Sequence, residues 1–322
     1  MVRTTVGILR GGTSNEYNLS LKTGAEMLAA LPEERYEVRD IFIVKKGYWH
    51  SRGMPVEAPR ALAQIDVVLN GLHGGTGEDG TVQRILQRAS VAYAGSSPRG
   101  SGLSLNKVGA RETLRRMGIQ IPRGTSFTLG DALNTAEMAR AVFSQFGPPY
   151  IVKPANDGAS YGIHLAMTLV ELPDAIGDVL DEFGTALVEE YLKGEEVSVG
   201  MIEYFRGEGL YALPPAHVHL PKGALYLEPS AHEQALARYD VPSNFTHAEK
   251  KAIVDMARAA HRALGLSYFS RADIMHTRRG PYLLEMNSLP GLYAGASFPE
   301  MLEAVGSSRR EFLEHTIKLA HV

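Results

Sequence analysis

The sequence predicts an α/β protein that becomes α+β in its C-terminal half. In the first third of the chain, strand patterns alternate with helical patterns across glycine-rich turns, which is typical of a parallel sheet. From Gly194 onward strand patterns dominate until one alanine-rich helix. At 322 residues the chain exceeds one ordinary core, so we expect two or three domains.

The chain opens with a buried strand at 4–9, a glycine turn and a helix. Apolar residues at helical spacing predict this helix: Leu21, Ala25, Leu28 and Leu31. Strand patterns at 38–44, 65–69 and 91–94, with a helix at 80–88, continue the alternation. The run 95–102, made mainly of Gly, Ser and Pro, is the best candidate for a linker.

The remaining elements follow the same signals less regularly. Helices are predicted at 104–117, 129–146, 171–183 and 246–264, and strands at 149–154 and within 185–199. The segment 213–244 is rich in Pro and His, and is either a lid over a site or a plain connecting loop. We divide the chain into an N-terminal α/β domain at 1–101, a central subdomain at 102–193 and a C-terminal subdomain at 194–322.

The composition is that of an ordinary globular protein, with 44% hydrophobic and 21% charged residues. A net charge of -3 argues against nucleic acid or an anionic membrane as the main partner. The absence of cysteine excludes disulfides, thiol nucleophiles and Cys-based metal sites. No run approaches the roughly 20 apolar residues that span a bilayer, and no signal peptide is visible, so we expect a soluble cytoplasmic protein.

Two strand patterns near the C-terminus carry polar residues on one face. Arg271 and Asp273 lie two residues apart, as do Glu285 and Asn287, so each pair shares a face. Apolar residues flank them: Ile274, Leu283, Leu284 and Met286. If the strands pair as a hairpin, oxygen ligands of the kind that Mg2+ prefers converge beside an arginine. The alternative is an exposed amphipathic hairpin, but the following Ser-Leu-Pro-Gly, ending at Gly291, stops the strand abruptly and favours the metal site.

A lysine near the end of an apolar strand pattern precedes a loop of small residues. Lys153 stands in Tyr-Ile-Val-Lys-Pro, and the loop at 156–162 contains Gly and Ser. Backbone N–H groups from such a loop and one ammonium suit a polyphosphate. The spacing is not that of a Walker A loop, and no well-placed Gly-x-Gly-x-x-Gly occurs. A surface turn with an exposed lysine is the alternative.

Two further motifs carry weaker signals. Residues 185–199 read as strand, bend and strand, whose edge can offer backbone groups to an adenine, and Glu195 or Glu196 can serve ribose hydroxyls. The glycine-rich run 73–81 follows a strand and precedes a helix, so it predicts an anion-receptive helix N-terminus. His73 either positions a substrate carboxylate or is structural.

Together these motifs resemble the ATP-grasp superfamily and, within it, the D-alanine–D-alanine ligases of peptidoglycan synthesis in cell wall biogenesis. The resemblance covers nearly the whole chain and rests on motifs in matching order: 11–16, 73–81, Lys107, 151–154, 194–196, Arg271-x-Asp273 and 285–291. It implies an ATP-grasp fold with an N-terminal Rossmann-like parallel-sheet domain on the substrate side. It also implies an ATP-dependent ligation of a carboxylate to an amine.

The resemblance implies roles for individual residues. Two Mg2+ ions, with Mn2+ as an alternative, are held by Asp273, Glu285 and Asn287. ATP is bound by Lys107, Lys153, Gly158, Ser160, Glu189, Glu190, Leu192 and Glu196, with the loop at 156–162 closing over the phosphates. The substrates meet Glu16, His73, Arg271, Gly291 and Ser297. Catalytic roles fall to Arg271 and the Gly291 N–H, which stabilise an oxyanion, and to Glu16 and Ser160.

The chain departs from the family pattern around the substrates. The phosphate loop has Ala159 where the family usually has a serine, and no Tyr-x-x-Lys-Tyr run occurs in 213–244, so a different lid closure is expected. After Gly291 the family's usual His-Ser-Leu is missing, and Gly-Ala-Ser ends at Ser297. Ser297 either serves the second substrate's carboxylate, or the second substrate is not D-alanine.

Three functions are consistent with these patterns. The first is a D-alanine–D-alanine ligase that forms the dipeptide through an acyl phosphate. The second is an ATP-grasp ligase for another acid and amine pair, and the third is a nucleotide-binding regulator without turnover. The full set of metal, lysine and arginine residues favours an enzyme. The expected partners are small-molecule amino acids, with no nucleic acid and no membrane, and the family suggests a homodimer.

Overall fold

The computed structural model describes residues 3–226 and 228–321, whose strands form three sheets. The strands of the first sheet are β1 Thr4–Gly11, β2 Tyr36–Ile43, β3 Trp49–Ser51, β4 Met54–Val56, β5 Val67–Asn70 and β6 Ala92–Ala94. They lie in the order β4-β3-β2-β1-β5-β6. The helices of this part are α1 Tyr17–Ala30, α2 Ala58–Ala61, α3 Gly75–Glu78, α4 Thr81–Arg88 and α5 Pro98–Leu105.

The first sheet confirms the α/β prediction, with one correction. Strands β2, β1, β5 and β6 are parallel as predicted, but β3 and β4 add an antiparallel hairpin beside β2. Arg52 and Gly53 form its two-residue turn, with φ of 52° and 75°. Positive φ at both positions matches the twist of a tight hairpin. Strands of three residues carry too little alternation to be found from the sequence.

Helix α1 is present as predicted, but most of the apolar residues that indicated it lie off its buried face. Of the four only Leu31, at its C-terminal end, is buried, and Ala25 is exposed. The face toward the sheet consists of Leu19, Ser20, Thr23, Gly24 and Met27. The Ser20 hydroxyl accepts from the Gly11 N–H and donates to the Gly71 carbonyl, both at 2.8 Å. The buried face is partly polar and small, so apolar periodicity does not mark it.

The predicted linker at 95–102 is wrong, because α5 begins at Pro98. The Ser97 hydroxyl caps this helix by accepting from the Gly100 N–H at 3.2 Å, and proline suits the first helical position. Glycine at position 100 allows α5 to pack closely against Gly265, since a Cβ there would lie 2.5 Å from the Gly265 carbonyl oxygen. The predicted domain limits at 101/102 and 193/194 stay predictions.

The second and third sheets are antiparallel. The second contains β7 Gly124–Thr128, β8 Tyr150–Pro154, β9 His164–Ala166 and β10 Thr185–Glu190, in the order β7-β10-β8-β9, with helices α6 Lys107–Arg116, α7 Thr135–Phe143 and α8 Leu172–Phe183. The third contains β11 Glu195–Glu203, β12 Leu210–Ala212, β13 Ala216–His219, β14 Arg238–Asp240, β15 Phe269–Thr277 and β16 Gly280–Asn287. Its order is β14-β13-β11-β15-β16, and β12 also pairs with β11.

The C-terminal helices return to the first sheet. The last four helices are α9 Pro229–Glu233, α10 His247–Ala263, α11 Ser297–Ala304 and α12 Arg309–Ala320. Phe298 and Phe312 from α11 and α12 join Val6 and Ile8 of β1 in one core, while a second core covers the other face of the sheet. A parallel sheet is normally covered in this way. Among the described helices, none is long and apolar enough to cross a membrane.

Candidate active site

Strands β15 and β16 pair as the predicted hairpin, and their polar side chains line one cavity. Arg271 lies opposite Asn287, and Asp273 lies opposite Glu285. Directly opposed residues of an antiparallel pair have Cβ atoms about 5 Å apart. The predicted convergence of these four side chains is therefore observed, and they are not an exposed surface face.

A β-bulge adds a residue that the prediction assigned to the apolar side. Asp273 pairs with Glu285, but the next pair is Ile274 with Leu283, so Leu284 is unpaired. Leu284 lines the cavity, whereas Leu283 is buried in the core. The placement of Leu284 among the apolar flanking residues is corrected, because one extra residue in a strand shifts which face the following side chains reach.

Two of the three predicted metal ligands, Asp273 and Asn287, are held by hydrogen bonds. Asp273 Oδ1 accepts from Ser198 Oγ at 2.7 Å and from Arg271 Nε at 2.8 Å, while Oδ2 accepts from Arg271 Nη2 at 2.7 Å and from Arg271 Nε at 3.2 Å. A cation bound at Oδ2 would replace the longer of its two arginine contacts, since a carboxylate oxygen has two lone pairs. Asn287 Oδ1 accepts from the Leu289 N–H at 2.9 Å and keeps one lone pair.

The third ligand, Glu285, is held ionised by neighbouring cations. Its Oε2 lies 3.3 Å from Lys107 Nζ. Burial alone would raise the pKa of Glu285, but Lys107, Lys153 and Arg271 lower it to about 2. Two carboxylates and one amide oxygen among three cations form a hard donor set that fits Mg2+ with bound phosphates.

Lys153 is buried at the end of β8 and lines the cavity, so the surface-turn alternative is wrong. Its Nζ lies 2.6 Å from Glu189 Oε2. Glu190 is bound in the same way to Arg123, with 2.8 Å between Nη2 and Oε2. Three predicted nucleotide contacts do not line the cavity: Glu189, Glu190 and Leu192. Because both carboxylates are occupied, an adenine would have to use backbone groups here, and these roles stay predictions.

The other predicted site residues come together in this single cavity. It is lined by Glu16, His73, Lys107, Lys153, Gly158, Ser160, Glu196, Arg271, Asp273, Glu285, Asn287, Gly291 and Ser297. Of the two candidates for ribose hydroxyls, Glu196 lines the cavity and Glu195 does not, since side chains alternate along β11. Burial, followed by the charge of Asp273, raises the pKa of Glu196 to about 7.

Glu16 lies between two glycines. A Cβ would stand 2.6 Å from Glu16 Oε1 if added to Gly74, and 2.4 Å if added to Gly158. Any larger residue at these positions would displace the carboxyl group. Burial, followed by the charges of Glu78 and Asp157, raises the pKa of Glu16 to about 8. An ammonium group beside this carboxyl group would stabilise its ionised form and lower its pKa.

The glycine-rich run 73–81 satisfies some of its N–H groups internally, and the anion-receptive helix N-terminus stays a prediction. Glu78 Oε1 accepts from the Gly74 N–H at 2.9 Å, and helix α3 has only four residues. Glu78 Oε2 also accepts from Ser288 Oγ at 3.3 Å, which joins this run to the end of β16. Glu78 was not among the predicted site residues, although it stands in the glycine-rich motif. Burial raises its pKa to about 7.

The environment of His73 favours the structural alternative. The ring is buried, and its Nε2 lies 2.7 Å from Thr23 Oγ1 on α1. Burial, followed by the charge of Arg271, lowers the pKa of His73 to about 4. A neutral imidazole already bonded to a hydroxyl is a weak partner for a substrate carboxylate.

The segment 213–244, described at 213–226 and 228–244, contains β13, α9 and β14 and covers the cavity, which favours the lid. It contributes Val218, Tyr226, His232 and Tyr239 to the lining. Contacts on the far side of the cavity run through Glu233. Its Oε1 accepts from Asn18 Nδ2 at 3.1 Å and from Tyr161 OH at 3.5 Å, and its carbonyl accepts from Lys22. The lid thus closes on α1 and on the phosphate loop.

Glu233→Ala should raise the KM for the substrates about fivefold while kcat changes less than twofold. The change removes two hydrogen bonds that hold the lid, each worth on the order of 1 kcal/mol. Glu228→Ala on the same segment is the control, because that exposed residue forms no side-chain hydrogen bond with another described residue. Steady-state kinetics would check this, and an unchanged KM in Glu233→Ala would show that the lid closes without Glu233.

The substrate end of the cavity is more apolar than the family pattern suggests. Leu19, Tyr293 and Ala296 form a small cluster that Ala159 joins. Gly291 permits the tyrosine ring to approach, since a Cβ there would lie 2.5 Å from its Cε1. Within the described chain no acceptor is bonded to the Gly291 N–H, so it is available to a ligand. Tyr293 was not among the predicted site residues.

The protein without ligands should lose stability as the pH rises from 5 to 8. Glu16, Glu78 and Glu196 have pKa values raised to about 8, 7 and 7. Unfolded glutamates ionise near pH 4.3, so in this window the folded state binds more protons than the unfolded state. The free energy of unfolding therefore falls as the pH rises and these groups lose their protons. The loss should be on the order of a few kcal/mol.

Urea unfolding at pH 5, 6, 7 and 8 measures this effect. Stability that rises steadily over the window would contradict the buried, protonated carboxyl groups. His73 and His232 act in the opposite direction up to about pH 6.5, because burial lowers their pKa values to about 4 and unfolded histidines bind more protons there, so the loss is steepest above pH 6.5. Glu285, whose pKa is lowered to about 2, acts in the opposite direction only at acid pH. The stabilisation that ionised Glu285 contributes is present above the pKa of glutamate in the unfolded chain. It is lost only on acidification below about pH 4.

The chain matches two family models, one described as the D-ala D-ala ligase N-terminus at residues 52–96 and one as the D-ala D-ala ligase C-terminus at 113–318. The D-alanine–D-alanine ligase of Anaeromyxobacter dehalogenans is 31% identical over 94% of this chain and 92% of that protein. Both observations agree with the motifs and their geometry.

Solved structures agree as well. D-alanyl-alanine synthetase A from Vibrio cholerae has a TM-score of 0.86 at 26% identity, covering 99% of each chain. The D-alanine–D-alanine ligase from Bacillus anthracis, solved in complex with ATP, has a TM-score of 0.80 at 26% identity, covering 98% of this chain and 97% of that one. The predicted ATP-grasp fold is confirmed. The chain belongs to the D-alanine–D-alanine ligase family.

Proposed function

We propose that this protein joins two molecules of D-alanine in an ATP-dependent reaction that supplies a peptidoglycan precursor. Like its family, it is an ATP-dependent ligase acting on small molecules. One observation carries the proposal. A single cavity is lined by the oxygen set of Asp273, Glu285 and Asn287, by Lys107 and Lys153, and by Glu16 with Arg271.

The nucleotide end supports transfer of a phosphoryl group. Lys107 and Lys153 supply positive charge, and the loop carrying Gly158 and Ser160 supplies backbone groups that face the same space. Mg2+ held by the oxygen set would neutralise phosphate charge and orient the terminal phosphoryl group for attack. The lid folds over this end and excludes water, which would otherwise compete with the substrate for the phosphoryl group.

The first substrate binds with its ammonium at Glu16. The buried carboxyl group ionises as the ammonium arrives, because the pair satisfies both charges in a water-poor site. One carboxylate oxygen of the substrate then attacks the terminal phosphorus, and ADP leaves. The product of this step is an acyl phosphate, in which the carboxyl carbon is open to attack.

The amine of the second substrate attacks that carbon. Arg271 and the Gly291 N–H are the donors for the oxyanion that forms, and Asp273 holds the arginine in place through three hydrogen bonds. Collapse of the tetrahedral species forms the amide bond and expels inorganic phosphate, and the attacking nitrogen loses a proton. The leaving phosphate carries one oxygen of the original carboxylate.

The site near Ser297, where the second substrate would bind, suits a substrate with a small side chain. Ser297 is buried at the start of α11, where the helix N-terminus favours a carboxylate. The cluster of Leu19, Ala159, Tyr293 and Ala296 offers an apolar wall suited to a methyl group. The same apolar wall is the observation behind the second candidate, a ligase whose second substrate is another small amine.

Phosphate release from ATP, measured with single D- and L-amino acids and their pairs, tests the proposal. Release with D-alanine alone, together with D-alanyl-D-alanine as the product, is the expected result. Release only with a different pair would replace D-alanine while keeping the ligase. ATP binding without release under any condition would favour a nucleotide-binding regulator instead.

We further propose that the reaction takes place in the cytoplasm, where ATP is supplied, and that the protein is a homodimer like others of its family. Sedimentation velocity at micromolar concentration would show a single species of about twice the chain mass of 35.0 kDa. A species of one chain mass would contradict the dimer without affecting the proposed reaction.

A further inference from the structure

Two histidines and an aspartate meet on the outer face of the lid strands. His217 and His219 lie two residues apart on β13 and so share a face, and Asp240 on β14 pairs opposite His217. One ligand atom from each residue lies within 4.8 Å of the others. The residues between them, Val218 and Tyr239, point to the other face and line the active cavity. The cluster is therefore separate from the Asp273 site.

The contacts of this cluster leave one imidazole without a partner. His219 Nε2 lies 2.7 Å from Asp240 Oδ2, which accounts for those two residues as a hydrogen-bonded pair. The ring of His217 stacks on that of His219 with 4.3 Å between centroids, and Phe245 packs beside it. Within the described chain His217 forms no hydrogen bond. Its nitrogens are free to bind a ligand.

The charges around His217 suit a cation. Burial and the neighbouring His219 lower the pKa of His217, while Asp240 and the exposed Glu195 act in the opposite direction. The neutral imidazole is the form that ligates metals. Two carboxylates lie close enough to compensate the charge of a divalent ion.

We propose that His217, His219 and Asp240 bind one transition-metal ion of the Zn2+ class. Two imidazoles and one carboxylate form a donor set that prefers Zn2+, Ni2+ or Co2+ to Mg2+. Ligands bound tetrahedrally at about 2.1 Å stand about 3.4 Å apart. The His219 and Asp240 atoms, 2.7 Å apart, must separate by about 0.7 Å, and the His217 atom, within 4.8 Å of both, must move by about 1.4 Å at most. Water completes the coordination.

The ion ties together the two strands that flank the lid segment 220–237. Strands β13 and β14 form the base of this segment, whose residues Tyr226 and His232 line the active cavity. An ion bridging the base restricts the opening of the segment. Metal binding at this site thereby limits the opening of the lid without contacting the reacting groups.

Titration with Zn2+ and with Co2+ in excess Mg2+ tests the site directly. The full-length protein should bind one equivalent of Zn2+, and Co2+ should give visible absorption bands. His217→Gln, His219→Gln and Asp240→Asn should each weaken binding at least about tenfold. His164→Gln is the matched control, because His164 and Asp178 form a histidine–aspartate pair elsewhere, with 3.8 Å between Nδ1 and Oδ2.

Glu285→Gln separates this site from the Mg2+ site, and should retain Zn2+ binding in full. Hydrogen exchange gives a second readout. Zn2+ should slow amide exchange in the described residues of 216–240 in the wild-type chain and not in His219→Gln. Equal Zn2+ affinity in the wild-type chain and the three variants, or loss of binding in Glu285→Gln, would overturn the proposal.

Discussion

Glu285→Gln should lower kcat by at least about 10³-fold, because it removes the charged ligand that the Mg2+ site depends on most. The pKa of Glu285 is lowered to about 2, so the native group is ionised at any working pH. Glutamine has nearly the same shape and keeps an oxygen, but it cannot balance Lys107 and Lys153. The effect falls on phosphoryl transfer rather than on folding.

Phosphate release with D-alanine, together with thermal unfolding, measures both parts of this prediction. The melting temperature should fall by only a few degrees, since Lys107 keeps its 2.5 Å hydrogen bond to the Asp157 carbonyl. Glu303→Gln, at an exposed position with 63% side-chain exposure, should behave like the wild type. Turnover retained in Glu285→Gln would mean that the metal site lies elsewhere.

Arg271→Lys should lower kcat about 10²- to 10³-fold with little change in the KM for ATP. The guanidinium donates three hydrogen bonds to Asp273 through Nε and Nη2, and the arginine lines the cavity. Burial acts to lower its pKa, but Asp273 holds that pKa above its ordinary value. Lysine keeps the charge but loses the planar fork, so one point donor replaces an oriented pair.

Arg279→Lys, on the turn of the same hairpin, is the matched control. Arg279 is 59% exposed and lies 3.8 Å from Glu190, so its replacement should leave kcat within twofold of the wild type. Equal kcat values for Arg271→Lys and the wild type would remove Arg271 from the reacting centre. A raised KM with unchanged kcat would limit its role to substrate binding.

The polar hairpin could be predicted from the sequence because strand alternation is a local property. Arg271, Asp273, Glu285 and Asn287 needed only a period of two and one turn to be placed on one face. Lys153 was predicted for a similar reason, since the end of an apolar strand is visible in the sequence. The order of the motifs then supplied the reaction class.

Tertiary contacts decided the features that the sequence did not reveal. The buried face of α1 carries Ser20, which accepts from the Gly11 N–H, and Gly24, where a Cβ would lie 2.5 Å from the Arg10 side chain. The bulge at Leu284 adds a residue without any local signal. Glu233 reaches α1 only once the lid has folded, so no spacing in the sequence marks it. Burial also sets the ionisation of Glu16, which sequence reasoning treated as an ordinary carboxylate.

The most direct test of the central claim follows oxygen from the substrate carboxylate. D-alanine labelled with 18O in both carboxylate oxygens should, on turnover with unlabelled ATP, give inorganic phosphate carrying one 18O atom. The transfer is required if that carboxylate attacks the terminal phosphorus before the amine displaces the phosphate. Phosphate free of 18O, formed together with the dipeptide, would contradict an acyl phosphate and with it the roles assigned to Arg271 and Gly291.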